Sequence, residues 1–399
     1  MTPTLWPILF WIALVVLAYV HIGYFLLLFV LGSRRRPLGD TMAELPRVSL
    51  IIPAHNEEKV LTAKLENALA LDYPDDRLEI LVASDGSSDR TNDMASAATN
   101  RGVKLLAFAE RRGKASVLND AVQSASGTIL CLCDANVMFH PDALRHLVMR
   151  LADQRVGAVT GDVRLASHEA NFGQGESFYY MIEKRLQEAE SNLGSLMGVD
   201  GGMYVLRREL FRPLPPDTIL DDFVLSMQVI RQGHRVAYEP RAIAEESGTP
   251  LARQEYRRRV RVSAGAVQSL KRRQWPPIAR PIEVWQYVSH KLLRWLGPLW
   301  LVLLMVASIA LWRSGWIYQV AVIAQGAVLL LAMAGTVLLP IRATRLGGVA
   351  FYFVLSHVAM VVGTLKGLFN RQRVTWAQAD RGRSADHRLA DNRHSHAAN

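Results

Sequence analysis

Cysteine is almost absent from this chain of 399 residues: there are two, Cys131 and Cys133. That excludes a disulfide framework. Residues two apart on a strand share a face, and a bond between them would be badly strained. Both read as small buried hydrophobes of a reducing compartment. Charge is absent from residues 5–31, a stretch long enough to span a bilayer core. The small-residue cleavage pattern of a leader is missing after it, where Ser33-Arg34-Arg35-Arg36 stands instead. The segment therefore reads as a retained transmembrane helix, with the arginines cytoplasmic and Met1 outside. Acidic residues are in deficit, 36 against 46 basic, for a net charge of +10. Such an excess suits nucleic acid or an anionic membrane surface. The basic stretch from Arg253 to Arg273 carries no aromatic stacking array and abuts apolar segments, which disfavours nucleic acid and favours lipid headgroups. No internal repeat is visible.

From Arg47 the pattern becomes an alternation of short apolar runs and amphipathic segments. Strands are expected at 48–52, 78–83, 103–107, 127–133, 157–161 and 235–238, with a Gly-rich strand entry at 198–204, separated by helices, the signature of an α/β fold with a mostly parallel sheet. The expected organisation is a transmembrane helix at 1–32, a linker at 33–46 and the α/β domain at 47–275. An amphipathic helix follows at 276–295, with Trp285, Val288, Leu292 and Trp295 on one face and Glu283, Gln286, His290 and Arg294 elsewhere, suited to the membrane interface. About three apolar spans occupy 296–370, and the basic tail 371–399 reads as disordered. One early and three late spans would put the tail outside, against the cytoplasmic preference of Arg371, Arg373, Arg381 and Arg383.

The stretch from Gly127 to Asn136 is a buried strand ending in Asp134, Ala135 and Asn136. Ligands of open α/β sheets bind just past the carboxyl ends of strands, so a metal or phosphate belongs there; an acidic turn that closes a strand is the plainer alternative. Glu57, Asp85 and the pair Asp221-Asp222 also fall at loop positions past strands, and Lys114 adds a cation for phosphate. Asp221 and Asp222 open a helix, where N-capping alone would also place them.

In order and spacing, SLIIPAHNEEKVL (49–61), VASDGSSDRT (82–91), RGKASVLNDAV (112–122), LCDANV (132–137), GGMYVLRREL (201–210) and LDDFVLSMQVIRQGHRV (220–236) resemble the membrane-bound glycosyltransferases of family 2, the branch of cellulose, hyaluronan and poly-N-acetylglucosamine synthases. The resemblance implies a GT-A nucleotide-sugar-binding domain, a nucleotide-sugar donor (usually a UDP-sugar), a Mg or Mn ion, inversion at the sugar carbon, and a glycan or lipid-linked acceptor. It places the enzyme in the inner or plasma membrane as a multi-pass protein with its catalytic domain cytoplasmic, and it admits exopolysaccharide-export partners. Carried over residue by residue, Pro53, Ala54, Glu57 and Asp85 are nucleotide contacts, Asp134 and Asn136 hold the metal and diphosphate, and Asp222 is the base beside Asp221. The Gln-x-x-Arg-Trp motif of the synthases is degraded: the Gly265 register gives Arg258-Arg259-Val260-Arg261-Val262, leaving Arg258 and Arg261 to hold the leaving diphosphate. With the aromatic gone, single addition to a glycolipid competes with polymer synthesis, and a catalytically silent membrane scaffold is the alternative of another class.

Overall fold

The computed structural model describes residues 5–32, 44–165, 174–246 and 252–372. The arginines at 34–36, most of the expected linker and the tail from Arg373 lie outside them.

Eight strands form one sheet: β1 (Val48–Ala54), β2 (Leu78–Asp85), β3 (Val103–Phe108), β4 (Ile129–Cys133), β5 (Val137–Phe139), β6 (Val156–Leu165), β7 (Met203–Arg207) and β8 (Arg235–Glu246), in the order β3-β2-β1-β4-β7-β6-β8-β5. The first half, β3-β2-β1-β4, is parallel. Then β7 runs antiparallel to both β4 and β6, β8 is parallel to β6, and β5 is antiparallel to β8. The sheet is therefore mixed, with parallel pairing in its first half. The apolar runs make this half: every residue of β1 and β4 is buried, as expected of strands covered on both faces. Leu50, Ile52, Cys131 and Cys133 share one core layer, and Ile51, Leu130 and Leu132 the other. The two cysteines are free and buried on one face, and burial pushes their thiols up, away from reactivity.

The helices are α1 (Leu5–Ala18), α2 (Tyr24–Leu31), α3 (Leu61–Leu69), α4 (Thr91–Ala97), α5 (Lys114–Ser124), α6 (Ala143–Arg150), α7 (Gln174–Leu193), α8 (Asp221–Arg231), α9 (Ala252–Lys271), α10 (Pro281–Tyr287), α11 (Leu293–Trp295), α12 (Gly297–Ala310), α13 (Trp316–Val337), α14 (Leu339–Ala343) and α15 (Arg345–Leu368). A π turn joins α1 to α2, so that 5–31 is one apolar rod. Among the described residues, three helical segments are long and apolar enough to cross a membrane: 5–31, α13 and α15. The bent pair 281–295 and α12, which meet at 61°, makes a fourth only if counted as one span. The sequence reading took 296–312 as a full span, but α12 has 14 residues, about 21 Å at 1.5 Å per residue, less than a bilayer core.

The amphipathic segment before α12 does not point its polar residues at water. Gln286 accepts from Ser195 N–H (3.0 Å) and donates to the Glu190 carbonyl (3.0 Å). His290 lies between Glu190 (2.8 Å) and Glu183 (3.1 Å). The polar face is thus buried against α7, and Trp285 donates to Tyr19 of the first rod at 2.9 Å. A buried polar face of this kind must be hydrogen-bonded throughout, which ties the membrane helices to the α/β domain in one orientation.

Small residues explain how α15 docks on α9. A Cβ on Gly363 would stand 2.4 Å from the Val260 carbonyl, and one on Gly367 2.8 Å from that of Ala264. The backbones approach as closely as glycine allows.

Candidate active site

The carboxyl ends of β1, β2 and β4 and the amino ends of α5 and α8 meet at one site, with α9 hydrogen-bonded to the loop before α8. Asp85 closes β2 and is fully buried, and its carboxylate accepts from Arg112 N–H (2.6 Å) and Gly113 N–H (2.9 Å). It thereby fixes the turn into α5. Gly113 sits at φ +90°, a conformation a side chain would strain, and this turn aims Lys114 across the cleft. Pro53 and Ala54 are buried at the end of β1; Glu57 follows, nearly buried, with its N–H donating to Thr91 Oγ1 at 2.8 Å. These residues form the floor around Asp85.

Lys114 Nζ donates to Asp134 Oδ1 at 2.9 Å and pairs with Asp221 Oδ2 at 3.3 Å. A cation at a helix amino end works against the helix dipole. Burial also opposes its charge, but Asp134, Asp221 and Asp222 outweigh both and hold its pKa above the usual lysine value. Asp134 keeps 43 % of its side chain exposed to the cleft. Its loop is braced from below: fully buried Lys64 donates to the Val137 carbonyl at 2.5 Å and lies 4.2 Å from the centre of the Phe139 ring. Asn67 of α3 exchanges two 2.8 Å hydrogen bonds with the Phe139 backbone, acting as a strand partner for β5. Asn136 donates to Glu246 Oε1 at 3.2 Å.

Asp221 is 7 % exposed, and among the described residues its Oδ2 has no hydrogen-bond donor, only the ion pair with Lys114. Asp222 accepts from Phe223 N–H at 2.7 Å. Burial first, then the charge of Asp221, push Asp222 up to about 6 against the pull of Lys114, Phe223 N–H and Arg261. A carboxyl in that range is mostly ionised at neutrality yet more basic than an ordinary aspartate, as a general base requires. Tyr204 belongs to the core, with its hydroxyl unpartnered among the described residues.

The basic helix α9 is part of this site. A Cβ on Gly265 would stand 2.4 Å from Leu220 Cγ; Gln268 accepts from Ile219 N–H (3.0 Å) and donates to the Asp217 carbonyl (2.7 Å). The helix thus grips the loop that delivers Asp221 and Asp222. Arg261 acts electrostatically on Asp222, and Arg258 on Asp200 and Glu246. Asp200 and Glu246 were not singled out in the sequence. Asp200 accepts from Gly202 N–H at 2.9 Å, and the Gly-Val-Asp-Gly-Gly run around it was the available signal. Glu246 had none, because its strand was expected to end at 238.

The oxygen donors suit a hard divalent cation in part. No three His, Cys, Asp or Glu side chains among the described residues cluster tightly enough to hold a metal alone. One exposed carboxylate beside an amide fits an ion that takes its remaining oxygens from phosphates and water, the habit of Mg and Mn.

Comparison with known proteins agrees with this geometry. Residues 49–214 match the model of glycosyl transferase family 2. A probable glycosyltransferase of Bacillus subtilis, YdaM, is 29 % identical across 57 % of this chain and 56 % of its own. The poly-beta-1,6-N-acetyl-D-glucosamine synthase of Staphylococcus epidermidis is 25 % identical across 58 % of this chain and 57 % of its own. The chain spans little more than half the length of these curated relatives. Among solved structures, the mannosyltransferase PcManGT of Pyrobaculum calidifontis, in complex with GDP-Man and Mn2+, superposes with a TM-score of 0.69 at 25 % identity, over 91 % of this chain and all of that one. With the mixed sheet, the carboxylates past β4 and at the start of α8, and these similarities together, the chain has the GT-A fold and over residues 49–214 is similar to glycosyl transferase family 2.

Proposed function

We propose that the chain is an integral-membrane inverting glycosyltransferase that moves a sugar from a nucleotide diphosphate to an acceptor at the cytoplasmic membrane face. The observation that carries the reading is the placement of Asp222, a carboxyl raised to about 6, beside the cleft shared by Lys114, Asp134 and the α9 arginines. Asp222 takes the proton of the acceptor hydroxyl, whose oxygen attacks the anomeric carbon from the face opposite the leaving group. The bond to the diphosphate breaks, and the diphosphate departs with the electron pair. Lys114, Arg258 and Arg261 bind it, the arginines as guanidinium forks. Asp221 holds Lys114 in place, while Pro53, Ala54, Glu57 and Asp85 shape the seat of the base and ribose. A divalent cation, when bound, neutralises charge on the leaving diphosphate, and Asp134 and Asn136 are the residues that would hold it.

The resemblance to polysaccharide synthases favours a UDP-sugar. A GDP-sugar is the second reading, favoured by the mannosyltransferase with GDP-Man, whose match extends over the membrane helices as well as the GT-A domain. Export partners have no observation behind them. Membranes containing the full chain, supplied with labelled UDP-sugars or GDP-mannose and Mn2+, decide the donor. The size of the product decides the mode: a ladder marks a synthase, and one discrete lipid-soluble product marks single addition. Absence of transfer from every donor would sink the enzyme reading and leave the scaffold.

A further inference from the structure

Asp200 stands between two carboxylates that the reaction uses, and the mechanism gives it no part. It belongs to the run Gly198-Val199-Asp200-Gly201-Gly202, which turns the chain into β7. The turn is held on both sides. Val199 N–H donates to Ser226 Oγ (3.0 Å), and Ser226 donates to the Asp222 carbonyl (2.7 Å), which fixes the turn to α8. Asp200 N–H donates to Thr160 Oγ1 at 3.1 Å, which fixes it to β6.

Close contact is what requires the two glycines. A Cβ on Gly201 would stand 3.1 Å from Asp222 Oδ2, and one on Gly202 3.2 Å from Asp200 Oδ1. The Gly202 carbonyl accepts from Asp134 N–H at 3.4 Å. The turn therefore touches the base on one side and the residue placed at the diphosphate on the other. The transferred sugar must lie between those two, because its anomeric carbon is bonded to the diphosphate and attacked by the oxygen that Asp222 deprotonates.

Asp200 presents a carboxylate there: Oδ1 accepts from Gly202 N–H at 2.9 Å, and the residue is exposed. The cations of the site would by themselves favour an anionic sugar. Lys114 is committed to Asp134 and Asp221, however, and Asp200 and Glu246 both act on Arg258 and offset it. A carboxylate in this position accepts hydrogen bonds from sugar hydroxyls and repels a second carboxylate.

We propose that Asp200 is a specificity-determining residue that restricts the donor to a sugar without negative charge, a neutral hexose or N-acetylhexosamine, by accepting from a sugar hydroxyl and repelling the carboxylate of a uronic acid. The inference rests on the glycosyltransferase reading and narrows its donor class.

The test is calorimetric titration of the full-length protein in phosphatidylcholine nanodiscs with Mn2+ at pH 7.5. Two donor pairs that differ only at C6 are compared, UDP-glucose with UDP-glucuronic acid and GDP-mannose with GDP-mannuronic acid. The readout is the affinity ratio within a pair, in which contacts to the nucleotide cancel. Wild type should bind the neutral member about tenfold more tightly. Asp200→Asn and Asp200→Ser, which keep an acceptor for Gly202 N–H, should bring the ratio to about twofold or less by admitting the uronic acid, and Asp200→Glu should retain the preference. A turn that served only structure would weaken both members together and leave the ratio alone. Equal affinities within each pair in wild type, or an unchanged ratio in Asp200→Asn and Asp200→Ser, would overturn the proposal while the glycosyltransferase reading stands. If none of the four nucleotide sugars binds, that reading fails and the proposal with it.

Discussion

Asp222 and Lys114 define the chemistry at the scale of single residues. Folding raises the Asp222 carboxyl from its ordinary 3.8 to about 6, so the folded chain binds that proton more tightly than the unfolded one. Its contribution to stability is therefore complete below about 4 and lost as the pH rises through 6. Asparagine carries no such penalty. Asp222→Asn should melt about a few degrees above wild type at pH 7.5 and coincide with it near pH 4, as thermal unfolding would show. In wild type the proton acceptor is the ionised form, so kcat/KM should climb through about pH 6 and level off above it. Lys114→Met leaves Asp134 and Asp221 facing each other without a cation. Breaking such a half-buried pair costs about 3 kcal/mol, and diphosphate affinity should fall with it; a variant with wild-type donor binding would contradict the role given to Lys114. Much at this scale was legible in the sequence, because carboxylates past strand ends are scarce enough to mark a site once four of them fall in sheet order. Asp200 and Glu246 were not, since a loop before a short strand and the end of an over-long one carry no periodic signal.

Elements show where local pattern fails. The alternation of apolar runs and helices located seven of the eight strands. It missed β5, whose three residues are too few for a period and whose partner groups come from Asn67 and Lys64 on α3. It also read Glu283, Gln286 and His290 as water-facing, because hydropathy cannot distinguish a solvated polar face from one buried against Glu183 and Glu190. The basic helix invited a lipid-binding reading, yet its Gly265 and Gln268 hold the loop before Asp221. Its fit against α15 turns on Gly363. Replacing Gly363 by Val drives a side chain into the Val260 carbonyl, displaces α9, and should lower kcat about tenfold or more while the nucleotide still binds to the β1 and β2 loops. Calorimetric titration of the donor nucleotide beside rate measurements separates the two; equal loss of both, or of neither, would contradict this coupling.

The whole molecule is a nucleotide-binding half-sheet fastened to membrane helices through polar bonds and glycine contacts. That fastening brings the first rod, α9, the bent segment 288–300 and α15 around one cavity, an arrangement no single motif encodes because it joins residues from 17 to 360 along the chain. The count of spans also belongs to this scale: the short α12 and its 61° bend to the preceding helix show why apolar runs alone gave a conflict between the number of crossings and the charge of the tail. The central claim is that these parts assemble one inverting transferase with Asp222 as base. It is tested most directly by following labelled sugar from its nucleotide into the lipid fraction, for wild type and Asp222→Asn in the same nanodiscs. The account predicts transfer by wild type and a loss of about two to four powers of ten in Asp222→Asn, with nucleotide affinity unchanged. Equal rates in the two proteins would contradict it.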